Sequence, residues 1–243
     1  MKLLLLSAVV LLSSYQATAQ LVVASDSSLL ASAVQAARQR YLSRAPESRL
    51  LNGVAYGNPA PAYVTGRPFY PAAEPQTGRV DYDGSSFDGV LLQYEQVQDQ
   101  LLLYSAAQAD PVQLIRQYVS SFDVGGHHFV NLFPGKGSAL SEGFYDVVVT
   151  GPAQLLVKRA KKLEATTGGY GLKGEYEDVT RYFVRRQENF YEVTNLKQTL
   201  EALVDKKAQI QAYARDNRLR LTTDSREDTL TKLVLHYNTL IRE

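Results

Sequence analysis

Two of the chain's three histidines stand side by side in Val124-Gly-Gly-His-His-Phe-Val-Asn-Leu-Phe133. Histidine is the commonest transition-metal ligand and a frequent acid/base group, so the pair suggests a metal site or a catalytic centre. The surrounding residues read as a strand, however, and successive strand side chains point to opposite faces of a sheet. His127 and His128 therefore cannot readily hold one metal together. A site would need one of them plus Asp146, Glu142 or His236 from elsewhere, and no ligand spacing in the sequence brings these together. We read the pair as strand residues beside a Gly-Gly turn. His128, sharing a face with Val130 and Leu132, is expected to point inward. His127 shares its face with Phe129, Asn131 and Phe133, and His236 is expected to flank an apolar helix stripe at the surface.

Other residues could do chemistry and are weighed the same way. Asp81-Tyr-Asp-Gly-Ser-Ser-Phe-Asp88 gathers three carboxylates around a glycine, but it does not match a calcium loop and reads as a hairpin turn. Lys158-Arg-Ala-Lys-Lys162 is a compact basic run at a strand end. It could bind phosphate or a sulfated glycan through Lys158, Arg159, Lys161 and Lys162, although charge at a strand end more often keeps an edge solvated. Gly137-Ser138 and Ser141-Glu-Gly143 do not make a nucleophile elbow, H-E-x-x-H is missing, and Gly135-Lys136 lacks the upstream glycine of a P-loop. No cofactor is expected. The 16 tyrosines and 8 phenylalanines could line a groove, but on strands they more often fill the core.

The elements that must position these residues follow from periodicity. Residues 25–44 read as an amphipathic helix with Leu30, Val34, Ala37 and Tyr41 on one face. From Ala45 to Gly78 the chain carries six of its 9 prolines and reads as an extended loop held down by Tyr56, Tyr63, Phe69 and Tyr70. Between Arg79 and Val193 short alternating runs predict antiparallel strands, including one unbroken strand AQLLVKRAKKL. Asp83-Gly84, Gln98-Asp99, Gly125-Gly126 and Gln187-Glu188-Asn189 supply the turns. Residues 164–177, with four glycines, read as a mobile loop or a poorly formed hairpin. After Thr194 three helices are expected, the last capped by Asp224 with Glu227 and striped by Leu230, Leu233, Val234, Tyr237, Leu240 and Ile241. The class is α+β: a curved antiparallel sheet, up to a half-barrel, followed by about three C-terminal helices packed on it. The expected segments are a leader at 1–19, the helix and proline-rich loop at 20–78, the β-domain at 79–193 and the helical segment at 194–243.

The leader is expected because Lys2 precedes the apolar run Leu3–Leu12, which ends in small residues and Ala17-Thr18-Ala19. The run is about half of the roughly 20 residues a spanning helix needs, so an exported chain, soluble in periplasm or medium, is expected. The absence of cysteine leaves no disulfide framework, thiol nucleophile or thiolate site. Removing Lys2 leaves basic residues equal in number to the 25 acidic ones, a balance that gives no general attraction to nucleic acid or anionic membrane.

The order Tyr82-Asp-Gly, Gly89-Val-Leu-Leu-Gln-Tyr94, Leu101-Leu-Leu, Phe122, Phe129-Val, Gly143-Phe-Tyr and Leu155-Leu-Val-Lys-Arg159 resembles a group of uncharacterised exported proteins of Bacteroidota. Lys206-Lys-Ala-Gln-Ile, Asn217-Arg-Leu and Tyr237-Asn238 continue the likeness. It implies an exported, strand-rich protein with a helical end and carries no activity or catalytic residues. These readings favour a non-catalytic binding or structural protein of the envelope, with a glycan or protein partner. The rivals are a carrier of an apolar ligand between sheet and helices, and an envelope hydrolase or metal-dependent enzyme using one of the paired histidines. N-terminal sequencing of the exported chain is expected to begin at Gln20. A mature protein that still starts at Met1 would refute the leader.

Overall fold

The computed structural model describes residues 30, 32–34, 47–58, 60–106, 108–135, 138–168 and 171–242. The expected leader and cleavage site lie outside them. The N-terminal helix does so in large part; Leu30 and residues 32–34 are helical, with Leu30 and Val34 exposed. The chain divides into two compact units, Met1–Arg49 and Leu50–Glu243, and the strands and C-terminal helices belong to the second.

Alternating apolar residues and two-residue turns produce the strands much as their spacing predicts. They are β1 (Val54–Ala55), β2 (Val64–Thr65), β3 (Phe69–Tyr70), β4 (Gln76–Tyr82), β5 (Ser85–Glu95), β6 (Gln100–Tyr104), β7 (Val112–Gln113) and β8 (Val119–Val124). There follow β9 (His127–Leu132), β10 (Gly143–Val149), β11 (Ala153–Lys158), β12 (Lys161–Gly168), β13 (Gly171–Asp178), β14 (Arg181–Arg186) and β15 (Asn189–Glu192). The turn between β8 and β9 places Gly125 and Gly126 at φ 59° and 80°, which costs glycine little and suits a right-twisted hairpin. Three helices close the chain: α1 (Leu196–Ala202), α2 (Lys207–Asp216) and α3 (Arg226–Arg242).

The fold is α+β. Twelve strands form one antiparallel sheet in the order β1-β7-β6-β5-β4-β8-β9-β10-β11-β14-β15, with β3 added beside β5. The sheet is not closed. It curls until the turn after β5 meets the residues after β11, where the Lys161 N–H donates to the Gln96 carbonyl at 3.3 Å across the gap. An aromatic group fills the curl: the Phe122 and Phe129 rings stack at 4.6 Å, while Phe144 and Tyr94 pack edge-on or tilted against them. Farther along, Leu155, Val157 and Val184 meet Leu230, Leu233, Val234 and Tyr237 of α3 in a second core. A third, smaller core of Tyr145, Leu156, Phe183 and Leu140 forms with Val130 and Leu132 beside it.

Three expectations change. The run AQLLVKRAKKL is two strands, because at Arg159-Ala160 the chain leaves β14 and its carbonyl accepts from Tyr94 Oη instead. Residues 164–168 and 171–177 belong to a regular pair of strands: β12 and β13 pair over eight positions, and β13 adds parallel to β2 in a separate three-stranded sheet. Strands also reach into the proline-rich segment, so the boundary drawn after Gly78 falls inside β4. Tyr56 is buried and Phe69 and Tyr70 are half-buried there, whereas Tyr63 is exposed.

Asn238, buried on α3, joins helix to sheet. Its Oδ1 accepts from the Ala153 N–H at 2.8 Å, and its Nδ2 donates to the Ala153 carbonyl at 2.9 Å. Asn238→Ala would leave that buried peptide unsatisfied and is expected to lower unfolding free energy in urea by about 1–3 kcal/mol. A loss within error would show the contact to be dispensable.

Candidate functional site

Lys158 and Arg159 are the residues from which the site is built. The expected solvated basic run does not exist as such: the Lys158 and Arg159 side chains are only 11% and 8% exposed. Being adjacent, they reach different neighbours. Lys158 Nζ lies 5.1 Å from the Tyr145 ring, and the Arg159 guanidinium lies 4.7 Å from the Tyr70 ring on β3. Lys161 donates to the Arg67 carbonyl at 3.0 Å, and exposed Lys162 pairs with Glu164, so the four basic residues do not form one anion-binding face.

Arg159 draws together four elements. Its Nε donates to Asp146 Oδ2 on β10 at 2.6 Å, and its Nη1 and Nη2 donate to Glu227 in the first turn of α3 at 2.9 and 2.8 Å. Glu227 is thus drawn to Arg159 and does not form the expected capping box with Asp224; α3 begins at Arg226. The carboxylate at the positive end of a helix and the bidentate geometry both favour the pair. Asp146, 2% exposed, also meets His127 Nδ1 at 2.8 Å across the β9–β10 ladder, while His127 Nε2 lies 3.1 Å from Tyr70 Oη. With the ring proton on Nδ1, Asp146 accepts from His127 and Tyr70 donates to Nε2. Burial raises the Tyr70 pKa, partly opposed by Arg159.

Lys158 organises the other side. Its ammonium donates to Asp99 Oδ2 at 2.7 Å and to the Phe144 carbonyl at 3.1 Å. Burial pushes the Lys158 pKa down, and Asp99 opposes that shift. Tyr94 Oη donates to Asp99 Oδ1 at 2.7 Å, and burial raises its own pKa well above the usual value, with Asp99 adding to the effect. Gly143 makes room for this cluster: a Cβ there would stand 1.9 Å from Asp99 Oδ2 and 2.4 Å from Lys158 Nζ.

The histidines do go to opposite faces, but the inward one is His127, at 30% side-chain exposure against 47% for His128. Both faces of β9 are partly covered, by the aromatic curl on one side and by the core around Tyr145 on the other, so apolar neighbours alone do not settle which faces in. His128 pairs with Asp123 at 2.6 Å. Of the three partners considered for the pair, the structure brings Asp146 to His127. Glu142 lies instead near Arg116, and half-buried His236 stacks on Tyr213 at 4.0 Å. Among the described residues no group of three or more His, Asp or Glu could hold a metal ion. The Asp81 carboxylate is held by Ser86, Ser121 and Arg79, as befits a hairpin. Asp99, Tyr70 and Glu227 were not singled out as site residues by sequence, since each lies far along the chain from the cation it serves. No protein-family model, curated protein or solved structure matches the chain.

Chemically, the constellation resembles a relay of Tyr70, His127 and Asp146, but each end is occupied. Both imidazole nitrogens have partners, and Asp146 is shared with a guanidinium. Asp146→Ala is expected to cost about 3–5 kcal/mol in chemical denaturation, because it removes a carboxylate from a buried guanidinium. Replacing the pair together, Asp146→Leu with Arg159→Met, is expected to recover much of that loss. Equal losses in the single and double variants would contradict the ion-pair account.

Proposed function

We propose that the chain is an exported protein of the bacterial envelope or periplasm that acts by binding, in a recognition or structural role, and not by catalysis. The observation that carries the reading is the full engagement of His127: Nδ1 faces Asp146 and Nε2 faces Tyr70 Oη. A general base needs a free lone pair within reach of a substrate proton. In His127 neither ring nitrogen is free in either tautomer: Nδ1 is held by Asp146, and Nε2 by the hydroxyl of half-buried Tyr70, whose own pKa is raised by burial. The leader-like sequence, the likeness to exported Bacteroidota proteins and the missing nucleophile motifs support the same reading. Among the described residues no helix is long and apolar enough to cross a membrane. The carrier reading draws less support, because Leu155, Val157 and Val184 pack directly against α3.

The full chain, assayed with chromogenic esters, phosphomonoesters and glycosides, is expected to show no turnover beyond that of His127→Ala. Turnover that this variant lacks, or near-stoichiometric zinc that it fails to retain, would overturn the reading.

A further inference from the structure

A pocket of about 140 Å³ opens where the end of β5 faces the β12–β13 hairpin, and its lining is Asn58, Ala60, Glu95, Val97, Leu163 and Tyr176. Leu163 and Tyr176 are cross-strand partners in the hairpin, so they present one apolar and one aromatic side chain together. The most deeply buried lining residue is a carboxylate: Glu95 is 1% exposed. It accepts from the backbone N–H groups of Val97 at 3.1 Å and Gln98 at 2.6 Å. Among the described residues it forms no ion pair with Lys, Arg or His, unlike half-buried Asp99 and buried Asp146. Burial raises its pKa against those two N–H bonds, and the negative charge of Asp99 adds to the rise. A second buried group nearby is unsatisfied. Among the described residues Tyr56 Oη has no hydrogen-bond partner, and burial, then the fields of Glu95 and Tyr176, push its pKa up to about 12.

A buried carboxylate without a counter-ion is costly, and pairing with a cation relieves the cost. The chemistry of the wall decides which cation. Calcium or magnesium requires about six or more oxygen ligands, often with retained water, and a single carboxylate beside leucine, valine and alanine cannot supply them. An anion would be repelled, and a neutral apolar molecule would leave Glu95 as it is. An alkylammonium matches both parts: its charge answers the carboxylate, and its carbons lie against apolar side chains and a tyrosine face, which attracts cations. A cavity of roughly 150 Å³ accommodates a benzene-sized molecule, which sets the scale at about five or six heavy atoms.

We propose that this pocket binds a small organic ammonium group, with its charge against Glu95 and its alkyl part against Leu163, Val97 and Tyr176. The proposal deepens the binding reading above and rests on it. The probe is n-butylammonium, added to the full chain and followed through backbone amide shifts in two-dimensional NMR; 1-butanol and butyrate serve as neutral and anionic probes of like size. Saturable shifts centred on Glu95–Gln98 and on β12–β13 are expected with butylammonium alone. Glu95→Gln is expected to weaken binding about ten- to hundredfold. Leu163→Trp fills the pocket from the hairpin side while keeping the Glu95 carboxylate and its two N–H bonds, and is expected to abolish binding even if Glu95→Gln fails to fold. Equal binding of 1-butanol, no saturable shift with butylammonium, or undiminished binding by Leu163→Trp would each overturn the proposal. Absence of binding together with absence of turnover would remove this ligand class while leaving the non-catalytic reading in place. His127-dependent turnover would remove that reading instead.

Discussion

Two adjacent cations cannot enter a protein interior unless counter-charges are waiting for both, and the Leu50–Glu243 unit is arranged around that requirement. An uncompensated buried ion costs several kcal/mol, a large share of the 5–15 kcal/mol by which a typical domain is stable. Lys158 is answered by Asp99 from the turn between β5 and β6, so that turn is tied to β10 and β11. Arg159 is answered by Asp146 and Glu227, so the last helix is tied to the strand over which it lies. The apolar cores alone favour burial without direction. The two ion clusters determine which strand ends and which helix terminus must meet.

The same requirement explains the histidine pair. His127 sits where an imidazole can share the Asp146 carboxylate, and Tyr70, brought in by β3, covers its remaining nitrogen. What resembles acid–base machinery in the linear sequence is, in three dimensions, the outer part of a buried network. Partial exposure of the ring does not alter this, because both nitrogens are engaged.

Much of the fold was legible because it rests on local rules. Alternation located most strands between Arg79 and Val193, the Gly125-Gly126 and Asp83-Gly84 turns fixed their hairpins, and the stripe Leu230, Leu233, Val234, Tyr237 marked the face α3 buries. What could not be read depended on a second layer. In β5, Gln93 and Glu95 alternate with Leu92 and Tyr94 as a solvent face should, yet both are buried, since other parts of the chain cover that side. Gln93 donates there to the Ala73 carbonyl and accepts from Tyr104. Likewise, Lys158 and Arg159 read as a solvated strand end because composition gives no sign that carboxylates far away in sequence converge on them. Gly143 looks in sequence like any glycine before a strand, although the absence of its Cβ is what admits Asp99.

The β12–β13 hairpin differs from the rest of this unit in how its backbone is supported. It pairs through eight positions with itself and only briefly with β2, and along β13 only Gly174 is fully buried. Its hydrogen bonds therefore have little apolar burial behind them. Regions of this kind open at free energies well below that of global unfolding, as separate cooperative units. Amide protons of this hairpin should consequently exchange through local opening, while those of β10 and β11, held between ion clusters and cores, wait for larger excursions. The bend at Arg159-Ala160 thus separates two levels of stability within one continuous ribbon.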